Sequence, residues 1–207
     1  MTGAGGGPLD FDPLEELFSL QPGDLLGIWM ETDYLVTASL RCKETIDGDT
    51  TEWRWLFLDN GDLLEASPDG YFRYRSHQVV RQGTELYEEL VAQDGALVRF
   101  EQRVRESASG RRPVHVTLDG KEYRVASTGT VDVDLAGEAP DLLPYKSLSR
   151  DASRNVYFGL LGVEDEADVV LGLWTAHVCL SFGRPLEASQ ISGVHRQQRG
   201  GRNGPRS

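Results

Sequence analysis

The chain has 207 residues and a formal net charge of −12, a length that fits one or two domains able to bury a core without disulfides or metals. Because a body this acidic repels a phosphate backbone, the composition argues against nucleic-acid binding by the folded part. The longest nearly apolar run, residues 169–180, is shorter than the roughly 20 residues of a membrane-crossing helix. Residues 1–8 lack the basic and apolar regions of a secretory signal. We therefore expect a soluble, cytoplasmic protein.

The N-terminal segment predicts a flexible, disordered leader over residues 1–9 and a short helix over residues 10–19. Asp12 is a favourable N-cap, and Pro13 suits the first helical position. One apolar face at helical spacing is formed by Leu14, Leu17 and Phe18. We expect the helix to dock on the body, and the alternative is a short linear motif that enters a partner's groove.

From residue 20 onward the sequence has the alternation and turn chemistry of antiparallel strands. Apolar and polar side chains alternate over residues 34–44. Five Asx-Gly pairs, which suit tight hairpin turns, are Asp47-Gly48, Asn60-Gly61, Asp69-Gly70, Asp94-Gly95 and Asp119-Gly120. The spacing predicts an all-β, antiparallel barrel-like or sandwich-like fold of about ten to twelve strands. We divide it into two related β halves, residues 20–106 and 114–192, joined by a loop over residues 107–113.

Two segments, residues 82–92 and residues 169–182, fit more than one assignment. Residues 82–92 fit one helical turn or a β run, and we favour β because strands flank the segment closely. Residues 97–104 are assigned to a further strand. Residues 169–182 fit two buried strands or one helix, and their β-branched residues favour strands. Beyond them the pattern predicts an edge strand over residues 186–194 and a disordered basic tail over residues 193–207.

The cysteine and histidine pattern excludes a zinc finger or ribbon, since Cys42 and Cys179 are far apart and the histidines are scattered singly. We interpret the cysteines as half-buried thiols, with a long-range disulfide as the alternative. His177 and Cys179 share a strand face at i, i+2 and could form a dyad, but a buried polar residue beside a small apolar one is the ordinary interpretation. We assign no catalytic residue, cofactor or metal.

Acidic residues are the remaining candidate metal ligands. The densest group is Glu164, Asp165, Glu166 and Asp168. Residues 47–52 carry only part of the pattern of alternating acids that a calcium loop requires. We interpret these side chains as solvated turn charges.

Alternating aromatic residues are the most informative group in the chain. Trp53, Trp55 and Phe57 share one side of a predicted strand, and Tyr71 and Arg73 share one side of a later strand. The ordinary interpretation is one core face of a sheet. The functional hypothesis is that these five residues form an interaction surface that takes a partner strand or peptide.

The C-terminal tail is basic and contains no acid, with arginines at Arg196, Arg199, Arg202 and Arg206. Contact with anionic lipid through this tail is one hypothesis. Four charges are few for stable anchoring, so we favour a solubilising, disordered tail.

Three sequence features together resemble the bacterial domain-of-unknown-function family 4178. They are a Gly-Asp turn within residues 20–25, the aromatic strand of residues 52–61, and the Gly-Lys-x-Tyr hairpin of residues 116–125. The resemblance covers roughly residues 20–192, and the chain departs from the family pattern in the residues after Trp55. It implies a β-rich intracellular bacterial protein, accessory to an envelope-stress or membrane-associated system, and it implies no catalytic residue.

We therefore predict a non-catalytic interaction or assembly module with a protein partner of unknown identity. The alternative is a small-ligand-binding barrel or hydrolase with an interior pocket, for which His115 and His177 would be candidate ionisable groups.

Overall fold

The computed structural model describes residues 12–105, 113–138, 140–142, 144–148 and 155–197. Of the described residues, 53% lie in strands and 18% in helices, so the structure is mostly antiparallel β. Its α-helices are α1 (Pro13–Ser19), α2 (Glu85–Val91) and α3 (Ala96–Arg105). Its strands are β1 (Leu25–Ile28), β2 (Asp33–Ile46), β3 (Asp49–Leu58), β4 (Leu63–Ser67), β5 (Gly70–Val80), β6 (His115–Leu118), β7 (Lys121–Thr130), β8 (Asp132–Gly137), β9 (Val156–Gly162), β10 (Val169–Trp174), β11 (Val178–Leu186) and β12 (Ile191–His195).

Helix α1 forms where the sequence predicts it. The Asp12 side chain accepts a hydrogen bond from the Leu14 amide at 2.9 Å, which satisfies one of the free donors at the helix start. Leu17 is fully buried, so the helix docks through its apolar face. The short N-terminal helix is therefore confirmed. Among the described residues, every helix is too short or too polar to cross a lipid bilayer.

The strands form one continuous antiparallel ladder in the order β12-β1-β2-β3-β4-β5-β11-β10-β9-β7-β6, with β8 also paired to β2. The antiparallel β class is confirmed. In the part of the chain that the structure describes, the ladder runs from β12 to β6 without closing, so a barrel stays a prediction. Strands β8 and β12 pair with β2 and β1, so the hydrogen bonding joins the two predicted halves.

Two predicted hairpin turns have the backbone that Asx-Gly pairs favour. Asp47 and Gly48 have φ of +52° and +93°, and Asp119 and Gly120 have φ of +48° and +78°. Two successive positive φ angles match the twist of the flanking strands. These turns therefore set the register of the β2–β3 and β6–β7 hairpins.

The predicted strands over residues 82–92 and 97–104 are wrong, because α2 and α3 occupy these segments. The Thr84 side chain accepts a hydrogen bond from the Tyr87 amide and caps α2. Tyr87, Leu90 and Val91 are all buried. In a strand this spacing would divide them between two faces, whereas in a helix it places them on one. The pair Asp94-Gly95 accordingly joins two helices rather than two strands.

Residues 169–182 form two strands, as predicted. Strands β10 and β11 pair in antiparallel register, with Gly172 opposite Leu180. A Cβ on Gly172 would lie 2.0 Å from the Phe158 ring, so the glycine makes room for an aromatic side chain of β9. The predicted edge strand over residues 186–194 is divided: β11 ends at Leu186 and β12 begins at Ile191.

The curved sheet encloses an inner cluster of buried side chains. The cluster consists of Ala38, Leu40, Cys42, Trp53, Trp55, Phe57, Leu63, Tyr74, Val131, Tyr145, Val169, Leu171, Leu173 and Cys179. Trp53 of β3 contacts Tyr157 of β9 across it, with ring centroids 5.2 Å apart. Side chains of strands that are not neighbours in the ladder therefore contact each other.

Two further clusters cover the outer face of the sheet. The α1 cluster includes Leu17, Leu26, Leu56, Leu64 and Leu186. The α2–α3 cluster includes Tyr87, Leu90, Leu97, Phe158 and Leu180. Successive side chains of a strand point to opposite faces of the sheet, which explains why the two faces carry different clusters. Along β3, Trp55 and Phe57 lie in the inner cluster and Leu56 lies in the α1 cluster.

Parts of the predicted organisation lie outside the described residues. These are the leader, residues 107–112 of the predicted loop, and residues 198–207 of the tail. Of the tail arginines, Arg196 is described, and its Nη2 donates to Glu16 of α1 at 2.6 Å.

Candidate functional site

The predicted aromatic surface lies in the interior. Trp53, Trp55 and Phe57 are at most 6% exposed and belong to the inner cluster. Phe57 contacts the Tyr145 ring edge-on, with centroids 4.9 Å apart. Because alternate residues of β3 face inward, these side chains form a core face, which is the ordinary interpretation of the pattern. The structure corrects their assignment as an exposed contact surface.

The other two predicted surface residues also pack against the body. Tyr71 is partly buried against the α1 cluster. Arg73 is only 6% exposed, and its Nε donates to Asp62 Oδ2 at 2.6 Å. Its guanidinium also lies 5.0 Å from the centroid of the Tyr34 ring. A buried guanidinium needs such partners because removing its charge from water is costly. Arg73 is therefore an internal anchor.

Glu31 connects this anchor to the surface. Its Oε2 accepts hydrogen bonds from Tyr34 at 2.6 Å and Arg73 Nη1 at 2.8 Å, and its Oε1 accepts one from Arg75 Nη2 at 3.2 Å. Hydrogen bonds from Tyr34 and Arg73 lower the pKa of Glu31. The ionised carboxylate thus joins the turn between β1 and β2 to strand β5.

An open cleft of about 760 Å³ lies over β5 and β11 beside Glu31. Along β11, Leu180 belongs to the α2–α3 cluster and Leu186 to the α1 cluster, whereas Arg184 between them is exposed. The cleft therefore lies where neither helical layer covers the sheet. The β6–β7 hairpin and Gln190 also line it.

A β-bulge shapes the cleft. Phe182 pairs with Ser76 and Gly183 pairs with Tyr74, so Arg75 is an extra residue on β5. A Cβ on Gly183 would lie 2.2 Å from the carbonyl oxygen of Arg73. Only glycine permits this approach of the two backbones, and the bulge redirects the side chains beside it.

A second group of charges lies across the cleft from Arg75. Lys121 Nζ donates to Asp168 Oδ2 at 3.0 Å, and Arg184 Nη2 donates to Asp168 Oδ1 and to Asp165 Oδ2, each at 2.8 Å. The hydrogen bond from Lys121, followed by that from Arg184, lowers the pKa of Asp168. The acidic turn that contains Asp165 and Asp168 therefore positions the cations of Lys121 and Arg184.

The turn beside the cleft carries the two most exposed large apolar side chains of the described residues. Trp29 is 67% exposed and Met30 is 92% exposed. The Trp29 amide donates to the Gln190 carbonyl at 2.7 Å, and the Glu31 amide donates to the Ile28 carbonyl at 3.0 Å. Met30 has φ of +63°, a conformation that costs an L-residue energy. The hydrogen bonds hold the turn in this strained form.

A serine and a histidine meet at the cleft in a way that the sequence does not reveal. His77 Nδ1 lies 2.9 Å from Ser181 Oγ, and its Nε2 lies 3.0 Å from the Gly61 carbonyl. Because the carbonyl only accepts, Nε2 carries the proton and Nδ1 accepts from Ser181. Burial lowers the pKa of His77. Ser181 is fully buried, so the pair links strands and does not present a nucleophile to solvent.

The histidines singled out in the sequence do not form a site with Cys179. Cys179 lies in the inner cluster, and burial raises its pKa to about 12. His177 lies in the turn before β11, where its Nδ1 accepts from the Gln82 amide at 3.4 Å. His115 contacts Glu122 at 2.7 Å in the β6–β7 hairpin. Both cysteines are free thiols, and both are fully buried rather than half-buried as predicted.

A carboxyl group, that of Glu65, contacts the inner cluster. Glu65 accepts hydrogen bonds from Trp55 Nε1 and Tyr74 Oη, each at 3.1 Å. Desolvation raises the pKa of Glu65. Burial raises the pKa of the nearby Tyr145 hydroxyl. No three His, Cys, Asp or Glu side chains converge as a metal site would require within the described residues.

Sequence reasoning missed Lys121, Asp168 and Arg184 as members of one site. They lie on or beside β7, β10 and β11, and strand pairing alone brings them together.

A scan against protein-family models and searches of curated proteins and of solved structures found no match.

Proposed function

We propose that this protein is a non-catalytic interaction module that binds a protein partner through the Trp29–Met30 turn and the adjoining cleft. The observation that carries the proposal is the exposure of these side chains, 67% and 92%, in the turn whose next residue, Glu31, lines the cleft. Tryptophan and methionine are enriched in the centre of protein interfaces, and tryptophan is among the commonest residues that dominate binding energy. Their burial against a partner would supply the main apolar contact.

The rigidity of the turn supports the same conclusion. Hydrogen bonds to Gln190 and within the turn fix its backbone, and the Glu31–Arg73 pair ties it to a buried position of β5. A surface that is already ordered loses less conformational entropy when it binds. Strain at Met30 is retained where its side chain is almost fully exposed, as is common at binding sites.

The placement of the nucleophilic groups supports a role without catalysis. The Ser181 hydroxyl is fully buried, and so are both thiols. Burial raises the pKa of Cys42 and of Cys179, and the thiolate is the reactive form. These groups therefore contribute to packing.

The scaffold that we propose for the module is sandwich-like, because β3 and β9 face each other across the inner cluster. A location inside a bacterial cell, as an accessory to an envelope-stress or membrane-associated system, is proposed from the family resemblance alone. Fractionation of cells that express a tagged chain would test that location.

Affinity capture from the native source, quantified by mass spectrometry, tests the proposed interaction. The W29A/M30A double variant removes the apolar contact, and I46A is the matched control because Ile46 is 61% exposed on another hairpin. We expect a protein recovered with the wild type and with I46A to fall at least about tenfold with the double variant. Equal recovery by all three chains would overturn the proposal.

Small-ligand binding is a second candidate function, favoured by the cleft volume of about 760 Å³. Ligand pockets commonly enclose about 300–1,000 Å³. Binding of a small anion with no dependence on Trp29 or Met30 would favour this second function.

A further inference from the structure

We infer that the cleft recognises carboxylate groups, so that the partner segment bound beside Trp29 and Met30 is an acidic stretch of polypeptide. The inference rests on the proposed function, because it specifies the chemistry of the partner at the same surface. Three properties of the cleft carry it: the exposure of its charges, its unused hydrogen-bond donors and its apolar lining.

The exposed cations of the cleft are more exposed than the acids that they pair with, although Asp165 is still 50% exposed and Asp119 of the lining is exposed. Arg75 is 65% exposed and its partner Glu31 is 32% exposed. Lys121 and Arg184 are 66% and 63% exposed, whereas the Asp168 that they share is 20% exposed. In a chain with a net charge of −12, the cleft is lined by these three exposed cations. It would attract an acidic partner and orient it on approach.

The exposed cations retain donors for an incoming anion. Arg75 uses one N–H in its bond to Glu31, and Lys121 uses one in its bond to Asp168. Arg184 engages its acids through Nη2 alone. In the described part of the chain, its Nε and Nη1 therefore stay available, as do further donors of Arg75 and Lys121. Charge-assisted hydrogen bonds from such groups are the strong ones.

Apolar residues lie next to these cations. Phe182, Pro185 and Leu186 line the cleft together with Arg75 and Arg184. An inorganic anion gains nothing from an apolar lining, whereas the methylene groups of a glutamate and a neighbouring apolar side chain would bury surface there. The combination of an apolar lining, available cations and an exposed tryptophan in the adjoining turn fits an acidic segment with interspersed apolar residues.

The cations are fixed by distant parts of the chain. Arg75 is positioned by the β-bulge opposite Gly183 and by Glu31. Lys121 and Arg184 are positioned by Asp168, which precedes β10. A site assembled from three regions of the ladder has donors in a set arrangement, so it binds without first ordering its own side chains.

Fluorescence anisotropy with a short labelled peptide rich in Glu and Leu tests the inference on the full chain. We expect saturable binding that weakens as salt is added, because exposed charges are screened. The R75Q/R184Q variant should bind about tenfold more weakly, which corresponds to about 1.4 kcal/mol. The matched control is R41Q, since Arg41 is 51% exposed, is paired with Glu52 and lies on the β2–β3 hairpin.

Each remaining outcome decides the question. Equal binding by the wild type and R75Q/R184Q, or no saturable binding of the peptide, would overturn the inference. Binding of tripolyphosphate without binding of the peptide would overturn it in favour of a small anion. Equal binding of a peptide with Gln in place of Glu would also count against carboxylate recognition.

The same variants separate this inference from the proposed function. If affinity capture is lost with W29A/M30A but is unchanged with R75Q/R184Q, the interaction module stands and the acidic segment fails. If W29A/M30A captures the partner as well as the wild type does, the proposed function itself fails.

Discussion

The carboxylate of Glu31 accepts a hydrogen bond of 2.8 Å from the buried guanidinium of Arg73, although 42 positions separate the two residues. Asp62 holds the same guanidinium at 2.6 Å from within the body. Arg73 therefore links β5 to the exposed turn, because one of its carboxylate partners, Asp62, is buried and the other, Glu31, lies at the surface. The predictions below test this arrangement and its surroundings.

Removal of Asp62 should destabilise the fold strongly. The side chains of Arg73 and Asp62 are 6% and 8% exposed, so D62A would leave a buried charge short of a partner. We expect the free energy of unfolding to fall by about 3 kcal/mol. Urea denaturation measures the loss, and R41Q, which breaks an exposed pair, should cost at most about 1 kcal/mol. Equal losses in the two variants would contradict a buried role for Asp62.

Alanine at position 183 should damage the bulge. Its Cβ would lie 2.2 Å from the Arg73 carbonyl oxygen, whereas a Cβ on Gly193 meets no atom within 4 Å. We expect G183A to lower the free energy of unfolding by about 1–3 kcal/mol. The control G193A should change it by less than about 0.5 kcal/mol. If both substitutions are tolerated equally in chemical denaturation, close contact of β5 and β11 does not limit this site.

Glu65 should make stability depend on pH in a defined direction. Its folded pKa is raised above the ordinary value of 4.5, and desolvation is the main cause. At pH values between 4.5 and the raised pKa, the folded state binds more protons than the unfolded state. The stability that Glu65 contributes therefore falls as the pH rises. The stability of E65Q relative to wild type should therefore increase as pH rises above 4.5.

Glu52 provides a matched variant, E52Q, for which the expected pH dependence of stability has the opposite sign. Hydrogen bonds from Lys43 and Arg41 lower the pKa of Glu52, so its contribution is present above the ordinary pKa and lost as pH falls. The stability of E52Q relative to wild type should decrease as pH rises through that range. Urea denaturation at a series of pH values measures both variants. Parallel curves for E65Q and wild type would show that the Glu65 pKa is not raised.

Glycine at position 30 should relieve strain that alanine keeps. The φ of Met30 is +63°, which glycine adopts freely and other residues adopt at a cost. We expect M30G to be more stable than M30A by about 0.5–1 kcal/mol, after allowance for the greater freedom of glycine in the unfolded chain. Thermal unfolding compares the two. Both variants should lose partner capture, because neither carries the methionine side chain, and M30A matching M30G in stability would argue against strain.

Several local features were predictable because neighbouring residues determine them. Asp12 caps α1 through its own side chain. Asp47-Gly48 and Asp119-Gly120 form turns through their own backbone preferences. The β class followed from alternation over residues 34–44, which form part of β2.

Other assignments failed where local patterns support two structures. The apolar spacing of Tyr87, Leu90 and Val91 is helical, but the predicted strands on both sides of this short segment favour β. Packing on the outer face of the sheet decides for the helix, since all three side chains are buried there. The alternation of Trp53 and Trp55 likewise shows that they share a face, and only the fold shows that the face is inside.

The amino-acid sequence by itself determined the antiparallel β class, two tight hairpin turns, the N-terminal cap and the pairs of side chains that share a face, because each depends on residues close along the chain. Tertiary structure decided which faces are buried, where the sheet is left uncovered, and how Arg75, Lys121 and Arg184 come to line one cleft. These properties depend on strand pairings between distant segments, such as β5 with β11. Pairing of this kind reflects the balance of burial and register over the whole chain.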